Sequence, residues 1–97
     1  MDIEFRNLSG TKVGYISGND VRDASGNKVG YINGNEVRNS SGGRTGYLNG
    51  TEIRDSSGNR KAYLNGNEIR DNSGSRIGYP SGSASEIQLA AAALLLY

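Results

Sequence analysis

The amino-acid sequence predicts a mainly β protein in which five 16-residue hairpin repeats form a closed, pseudo-five-fold antiparallel barrel around a C-terminal helix. Three observations predict this fold. One 16-residue unit recurs through most of the 97 residues, glycine recurs every eight residues within it, and the chain ends in an apolar segment of alanine and leucine. We expect a single domain over residues 1–97, with hairpin repeats at 1–82, a linker at 83–85 and the helix at 86–97.

The repeat is visible in three kinds of residue that keep the same spacing. Tyrosines recur at Tyr15, Tyr31, Tyr47, Tyr63 and Tyr79. Arginines recur at Arg6, Arg22, Arg38, Arg54 and Arg70, and apolar residues at Phe5, Val21, Val37, Ile53 and Ile69. Such self-similarity is typical of repeat architectures. It argues against the disorder that 15 glycines and a hydrophobic content of 34% would otherwise allow.

Glycine marks the turns between strands. Asn-Gly between short alternating segments is the strongest short hairpin signal, because a two-residue type I′ turn needs a positive φ at both positions. Ser-Gly serves the same purpose less specifically. Turns every eight residues leave strands of about six residues, which is close to the usual length. The pairing must be antiparallel, because a parallel crossover needs a dozen or more residues.

Taking Ser25-Gly26 and Asn33-Gly34 as two-residue turns defines the strand register. The first turn pairs Asp20 with Tyr31, Val21 with Gly30, Arg22 with Val29 and Asp23 with Lys28. The second pairs Tyr31 with Glu36, Gly30 with Val37 and Val29 with Arg38. This register predicts cross-strand ion pairs near the Ser-Gly turns, namely Asp23–Lys28, Asp55–Arg60 and Asp71–Arg76.

The register separates an apolar face from a polar one. The first carries the Phe5 series together with Gly14, Gly30, Gly46, Ala62 and Gly78, and also Ile16, Ile32, Leu48 and Leu64. The second carries tyrosine, arginine, acidic residues and the series Val13, Val29, Thr45, Lys61 and Ile77. Lys61 would lie between Arg54 and Arg70, and three clustered cations cannot be buried without partners. The tyrosine-arginine face is therefore predicted to be the outer one.

The C-terminal segment has the properties of a buried helix. Ser85 and Gln88 form a capping-box pattern, and alanine and leucine are the best helix formers. Twelve residues give a helix of about 18 Å, too short to span a bilayer. Because the segment is apolar on all sides, we expect it to be surrounded by protein. The small residues of the apolar face leave room for it inside a ten-stranded barrel.

Closing the barrel requires the first strand (residues 2–7) to pair with the last (75–80), where Pro80 suits a strand end. Two other architectures compete with this one. In an open sheet, the apolar tail would pack between subunits instead of filling its own barrel. A β-solenoid is disfavoured, because Asn-Gly turns reverse the chain.

The run Asp-Ser-Ser-Gly-Asn-Arg-x-x-Tyr-Leu-Asn-Gly-Asn-Glu-Ile-Arg-Asp at residues 55–71 resembles small bacterial tandem-hairpin domains known as β-flowers. The resemblance covers residues 4–82. It implies a compact, pseudo-symmetric β domain and brings no particular activity with it.

Composition restricts the chemistry that this chain can perform. The absence of histidine and cysteine excludes histidine-based catalysis, thiol nucleophiles, disulfides and metal sites built from these residues. The net charge of +1 argues against a nucleic-acid binder. Most acidic residues recur beside arginine or lysine, which favours an ion-paired surface over acid–base chemistry. We expect no enzyme activity, no cofactor and no metal.

Two classes of function remain. The first is a structural or interaction module, and the second is a module that binds carbohydrate or peptide. The candidate binding residues are Tyr15, Tyr31, Tyr47, Tyr63, Tyr79, Arg22, Arg38, Arg54 and Arg70, because regularly spaced aromatic rings can stack on sugars or peptides. A protein or glycan partner is expected, and a monomer is favoured. Residues 1–5 show no signal-peptide pattern, so the protein is expected to be cytoplasmic or a processed envelope or extracellular form.

Overall fold

Ten strands follow one another along the chain and lead into one helix in the computed structural model, which describes residues 2–97. The strands are β1 (Asp2–Asn7), β2 (Lys12–Ser17), β3 (Asp20–Asp23), β4 (Lys28–Asn33), β5 (Glu36–Asn39), β6 (Arg44–Asn49), β7 (Glu52–Asp55), β8 (Arg60–Asn65), β9 (Glu68–Asp71) and β10 (Arg76–Pro80), and the helix is α1 (Glu86–Leu95). Each strand pairs with its sequence neighbours in a closed antiparallel barrel. The predicted barrel of hairpin repeats is confirmed, and the open sheet and the solenoid are wrong.

Pairing of the first and last strands closes the barrel. Phe5 pairs with Pro80, and Asn7 pairs with Gly78. Beyond the strand end, the amide of Ser81 donates to the carbonyl oxygen of Glu4 at 2.7 Å. Pro80 is the last residue of β10, as predicted. Closure leaves no strand edge exposed for pairing with another chain.

The Asn-Gly turns begin one residue later than predicted. Asn33 pairs with Glu36, so Gly34 and Asn35 are the two central residues. Gly34 has a φ of +65°, and among the described residues no side-chain-bearing residue has a positive φ. A positive φ at the first central position is the mark of a type II′ turn rather than type I′. The predicted partners were therefore wrong, since Tyr31 pairs with Arg38 and Ile32 with Val37.

The Ser-Gly loops contain three residues instead of two. The amide of Gly26 donates to the carbonyl oxygen of Asp23 at 3.0 Å, and the amide of Asp23 donates to the carbonyl oxygen of Asn27 at 2.9 Å. The Asp23 carboxylate accepts from the amides of Ser25 and Asn27, both at 3.0 Å. With Gly26 at a φ of +93°, this is the three-residue loop in which a type I turn is followed by a left-handed residue.

A β-bulge follows each three-residue loop. Val21 pairs with Gly30 as predicted, but Arg22 pairs with Lys28, which leaves Val29 without a partner. The other four hairpins of this kind show the same shift. The predicted pairs Arg22–Val29 and Asp23–Lys28 are therefore wrong. The predicted ion pairs of Asp23, Asp55 and Asp71 do not form either, because these carboxylates accept from loop amides.

The prediction of which residues line the inner wall is confirmed. Phe5, Val21, Val37, Ile53 and Ile69 have no exposed surface, and Ala62 is 1% exposed. Lys61 is exposed, as predicted for the outer face. At the equivalent bulge positions, Val13, Val29 and Ile77 are half-buried and pack against the core, so this series is not purely an outer-face series.

Helix α1 fills the space inside the wall. It is two residues shorter than predicted at its C-terminal end, where Leu96 is the cap residue. The predicted capping box forms, because the Ser85 hydroxyl accepts from the Gln88 amide and the Gln88 side chain accepts from the Ser85 amide. The buried helix residues are Leu89, Ala90, Ala91, Ala92, Ala93 and Leu94. The plug predicted from the small wall residues is thus confirmed.

Tyr97 makes a polar contact between the tail and the wall, and this contact predicts a dependence on pH. Its hydroxyl donates to the carbonyl oxygen of Arg6 at 2.7 Å, and burial raises the pKa of Tyr97 from 10.0 to about 12. Folding therefore favours the neutral phenol, so the stabilisation is complete below pH 10 and is lost as the pH rises toward 12. We expect the melting temperature to fall over this range.

Tyr97→Phe is the control for this pH dependence. It removes the titrating group and keeps the ring, so its melting temperature should fall less steeply between pH 10 and 12 than that of the unmodified protein. All other ionisable side chains are the same in both proteins. Parallel pH profiles would show that Tyr97 is not responsible.

Candidate functional site

Four side chains per repeat form a continuous band on the outer wall, which we call the outer belt. It contains the five tyrosines Tyr15, Tyr31, Tyr47, Tyr63 and Tyr79 and the five arginines Arg6, Arg22, Arg38, Arg54 and Arg70. It also contains the acids Glu4, Asp20, Glu36, Glu52 and Glu68, and a second set of cations, Lys12, Lys28, Arg44, Arg60 and Arg76. The alternation of the strands places the tyrosines, the arginines and the acids outward and the core residues inward, and the bulge places the second cations opposite the arginines on the same outer face.

The third repeat shows how the four side chains are arranged. The Glu36 carboxylate binds two cations, with Arg38 Nη2 at 2.7 Å and Arg44 Nη1 at 3.4 Å. Arg38 also donates through Nη1 to the carbonyl oxygen of Gly42 at 2.8 Å. The Arg44 guanidinium lies 5.2 Å from the centre of the Tyr47 ring. One carboxylate therefore holds one arginine against its loop and a second against a tyrosine.

The same arrangement recurs around the barrel. The distance from cation to ring centre runs from 4.8 Å for Lys12 over Tyr15 to 5.7 Å for Arg76 over Tyr79. These distances lie within the range of about 6 Å over which a cation is attracted to a ring face. In every repeat, one face of the tyrosine ring is covered by a cation.

The tyrosines and second cations connect neighbouring repeats. A Cβ placed on Gly26 would lie 3.6 Å from the hydroxyl oxygen of Tyr15, so the phenol reaches the next three-residue loop along the chain. Arg44 donates to the carbonyl oxygen of Ser56 at 3.2 Å. The outer belt is therefore a structural network as well as a surface.

The belt remains accessible to solvent. The side chains of its cations are between 28% and 44% exposed, and its tyrosines are half-buried. Ion pairs with this exposure contribute little to stability, because solvent screens them. The hydrogen bond from Arg38 holds the pKa of Glu36 below its usual value, so this carboxyl stays ionised at neutral pH.

All nine candidate residues predicted from the sequence lie in the belt. The prediction omitted Arg6, although Arg6 has the same spacing as the other arginines and makes the same contacts, at 3.1 Å to Glu4 and 2.7 Å to the carbonyl oxygen of Gly10. It also omitted the acids and the second cations. Their shared 16-residue spacing was the signal that identifies them.

Two residues interrupt the regularity of the surface. Leu8, in the first three-residue loop, is 55% exposed, whereas the equivalent loop positions carry alanine, serine or asparagine. Lys61 adds an exposed cation to the fourth repeat.

Within residues 2–97 the structure contains no pocket and no cluster of three acidic side chains that could hold a metal ion. The one helix of this part of the chain is too short to cross a membrane.

Comparison with known proteins agrees with the geometry. A family model described as a 5-fold beta-flower protein matches residues 1–97. Neither a curated protein nor a solved structure matches the chain. The description of the matching family refers to a fold with five repeats, as seen in the barrel, and names no reaction.

Proposed function

We propose that this chain, which belongs to the 5-fold beta-flower family, is a non-enzymatic structural and interaction module whose outer belt contacts a partner. One observation carries this proposal: the belt presents the same four side chains five times, and no repeat is set apart for chemistry. A catalytic site normally concentrates differently tuned groups at one place. A surface repeated five times instead suits contact with an extended or multivalent partner.

The composition of the core supports a structural role for the inner wall and an interaction role for the outer belt. All residues of the buried core are apolar, and none of them belongs to the belt. A partner can therefore contact the belt without reaching the packing of the wall on α1. A closed barrel without exposed strand edges also supplies a rigid scaffold.

The second candidate function is recognition of a carbohydrate or a peptide by the belt. The regular spacing of five half-exposed tyrosines favours it. Because a cation already covers one face of each ring, a sugar that stacks on that face must first displace it. An acidic peptide can pair with the same cations without uncovering the rings, which supports a peptide ahead of a neutral sugar.

A peptide and glycan array tests both candidates. The protein would be compared with Tyr31→Ala, with Tyr31→Ala/Tyr47→Ala, and with Lys28→Gln, after circular dichroism has shown that each variant is folded. Ser40→Ala is the matched control, because Ser40 is exposed and lies outside the belt.

Four results are informative. Binding that weakens stepwise as tyrosines are removed would support recognition through the rings, and binding weakened mainly by Lys28→Gln would support recognition of acidic groups. Binding that is unchanged in all belt variants would show that the belt is not the interaction surface. The absence of any bound ligand would leave a purely structural role.

A further inference from the structure

The end of the tail packs into the wall in a regular order around the barrel. A Cβ on Gly46 would lie 2.8 Å from a methyl group of Leu94, one on Gly30 would lie 2.6 Å from Leu95, and one on Gly14 would lie 2.6 Å from Leu96. A Cβ on Gly78 would overlap the Tyr97 ring. Four consecutive residues therefore each fill the space above one wall glycine, and each step along the chain moves one repeat around the barrel.

The fourth repeat is the exception in this series. Its wall position holds Ala62, which has a Cβ where the other repeats have none. Continuing the order of Leu94, Leu95, Leu96 and Tyr97 by one residue toward the N-terminus would bring Ala93 to this repeat. The repeat that lacks a glycine would then face an alanine instead of a leucine or a tyrosine, and both Ala62 and Ala93 are 1% exposed.

The near-symmetry of the wall raises the question of why the helix adopts only one rotation. Turning α1 by one repeat about its axis moves the backbone of Ser85 by about 3 Å, given a helix radius of about 2.3 Å. The connection at residues 81–85, which is exposed apart from the half-buried Ala84, can absorb such a movement. In either direction, the rotation places Leu94 or Tyr97 against Ala62 and leaves Ala93 beside a wall glycine. Each rotated state thus combines an overlap with an unfilled space.

We propose that Ala62 and Ala93 are positioning residues that select one of five rotational positions of α1 in the barrel. Tyr97 does not distinguish the positions by hydrogen bonding alone. Its acceptor in the structure is the carbonyl oxygen of Arg6, and the carbonyl oxygens of Arg22, Arg38 and Arg54 approach Gly14, Gly30 and Gly46 in the same way. The Ala62–Ala93 pair breaks this equivalence.

The proposal is tested with Ala62→Gly/Ala93→Leu in the full chain. This double variant gives every repeat a glycine and five consecutive tail residues a large side chain, so rotated states no longer contain the overlap or the space. We expect NMR spectra of the methyl groups of Leu94, Leu95 and Leu96 to show at least one additional set of resonances, with a population within about tenfold of the first. Phe5, where the other repeats have valine or isoleucine, keeps the populations unequal.

The additional set should identify the rotated state directly. In the unmodified protein, nuclear Overhauser effects (NOEs) are expected from the Tyr97 ring to the α-protons of Gly78. In the second set, they should run from the same ring to residue 62 or to Gly14. A single set of resonances with the original contacts to Gly78 would overturn the proposal.

Two further variants keep the test decisive. Ala62→Gly alone removes the overlap but not the unfilled space, so it should give a weaker second set, and it serves as the test if the double variant does not fold. Ile69→Val deletes one carbon from another fully buried wall position and should give a single set. A second set in Ile69→Val as well would mean that any loss of packing causes the heterogeneity, and the proposal would fail.

Discussion

A chain lacking residues 86–97 is expected to lose the barrel and to unfold or aggregate. The deletion removes six buried residues of α1 and exposes wall residues that have no solvent-accessible surface in the intact protein, such as Phe5, Val21 and Ile53. A single buried leucine replaced by alanine costs about 2–5 kcal/mol, whereas a domain of this size has about 5–15 kcal/mol of stability in total. The circular dichroism spectrum should lose its β-sheet signal, and no cooperative melting transition should remain.

A full-length variant with smaller side chains in the tail distinguishes the effect of lost packing from the effect of a shortened chain. Leu94→Ala/Leu95→Ala keeps the full chain and should lower the melting temperature without abolishing the transition, because the helix still fills most of the bore. A truncated monomer with unchanged β-sheet signal and melting temperature would show that the wall is stable when empty.

Gly30→Ala is expected to destabilise the protein by about 1–3 kcal/mol, the usual cost of adding a carbon to a tightly packed core. The new Cβ would overlap the carbonyl oxygen of Arg38 and would lie 2.6 Å from a methyl group of Leu95. Relief requires a shift of the strand and of the side chain together. Urea denaturation should show a lower midpoint with an unchanged slope.

Two variants test whether the loss comes from the approach of the tail to the wall. Gly82→Ala is the matched control, because a Cβ there meets nothing within 4 Å and the backbone φ is not in the left-handed region. It should leave the midpoint nearly unchanged. Adding Leu95→Ala to Gly30→Ala should cost less than the sum of the two single changes, since it makes room for the Cβ. Simple additivity would argue that Leu95 is not the obstacle.

The inner and outer faces were predictable although several strand partners were not. At the Asn-Gly turns, the partner of Tyr31 is two residues away from the predicted one, and a shift of two keeps every side chain on its own face. At the Ser-Gly loops, the additional loop residue and the bulge at Val29 compensate each other, so the Val21–Gly30 pair is correct. Periodicity therefore determined the faces, whereas loop length depended on Asp23, whose carboxylate binds loop amides.

The candidate site was predictable as a set of recurring residues but not as a set of contacts. The spacing of the tyrosines and arginines placed them together on the outer face. The stacking of a second cation on each tyrosine, such as Arg44 on Tyr47, does not follow from the predicted register, which pairs Lys28, Arg60 and Arg76 with Asp23, Asp55 and Asp71. The bulge brings Arg44 opposite Arg38, where both cations reach the same carboxylate of Glu36.

The helix in the bore also limits how the gene for such a protein can change in length. Duplication of a 16-residue unit adds a hairpin without altering any local contact in the others, so unequal recombination could in principle produce rings of four, five or six units. The diameter of a barrel increases with its number of strands, but the diameter of an α-helix does not. A barrel of six units would leave a gap around α1, and a barrel of four units would have no room for the helix. The diameter of the helix therefore restricts the barrel to five units. Recombinants with another number of units should be removed by selection unless their C-terminal segment changes as well.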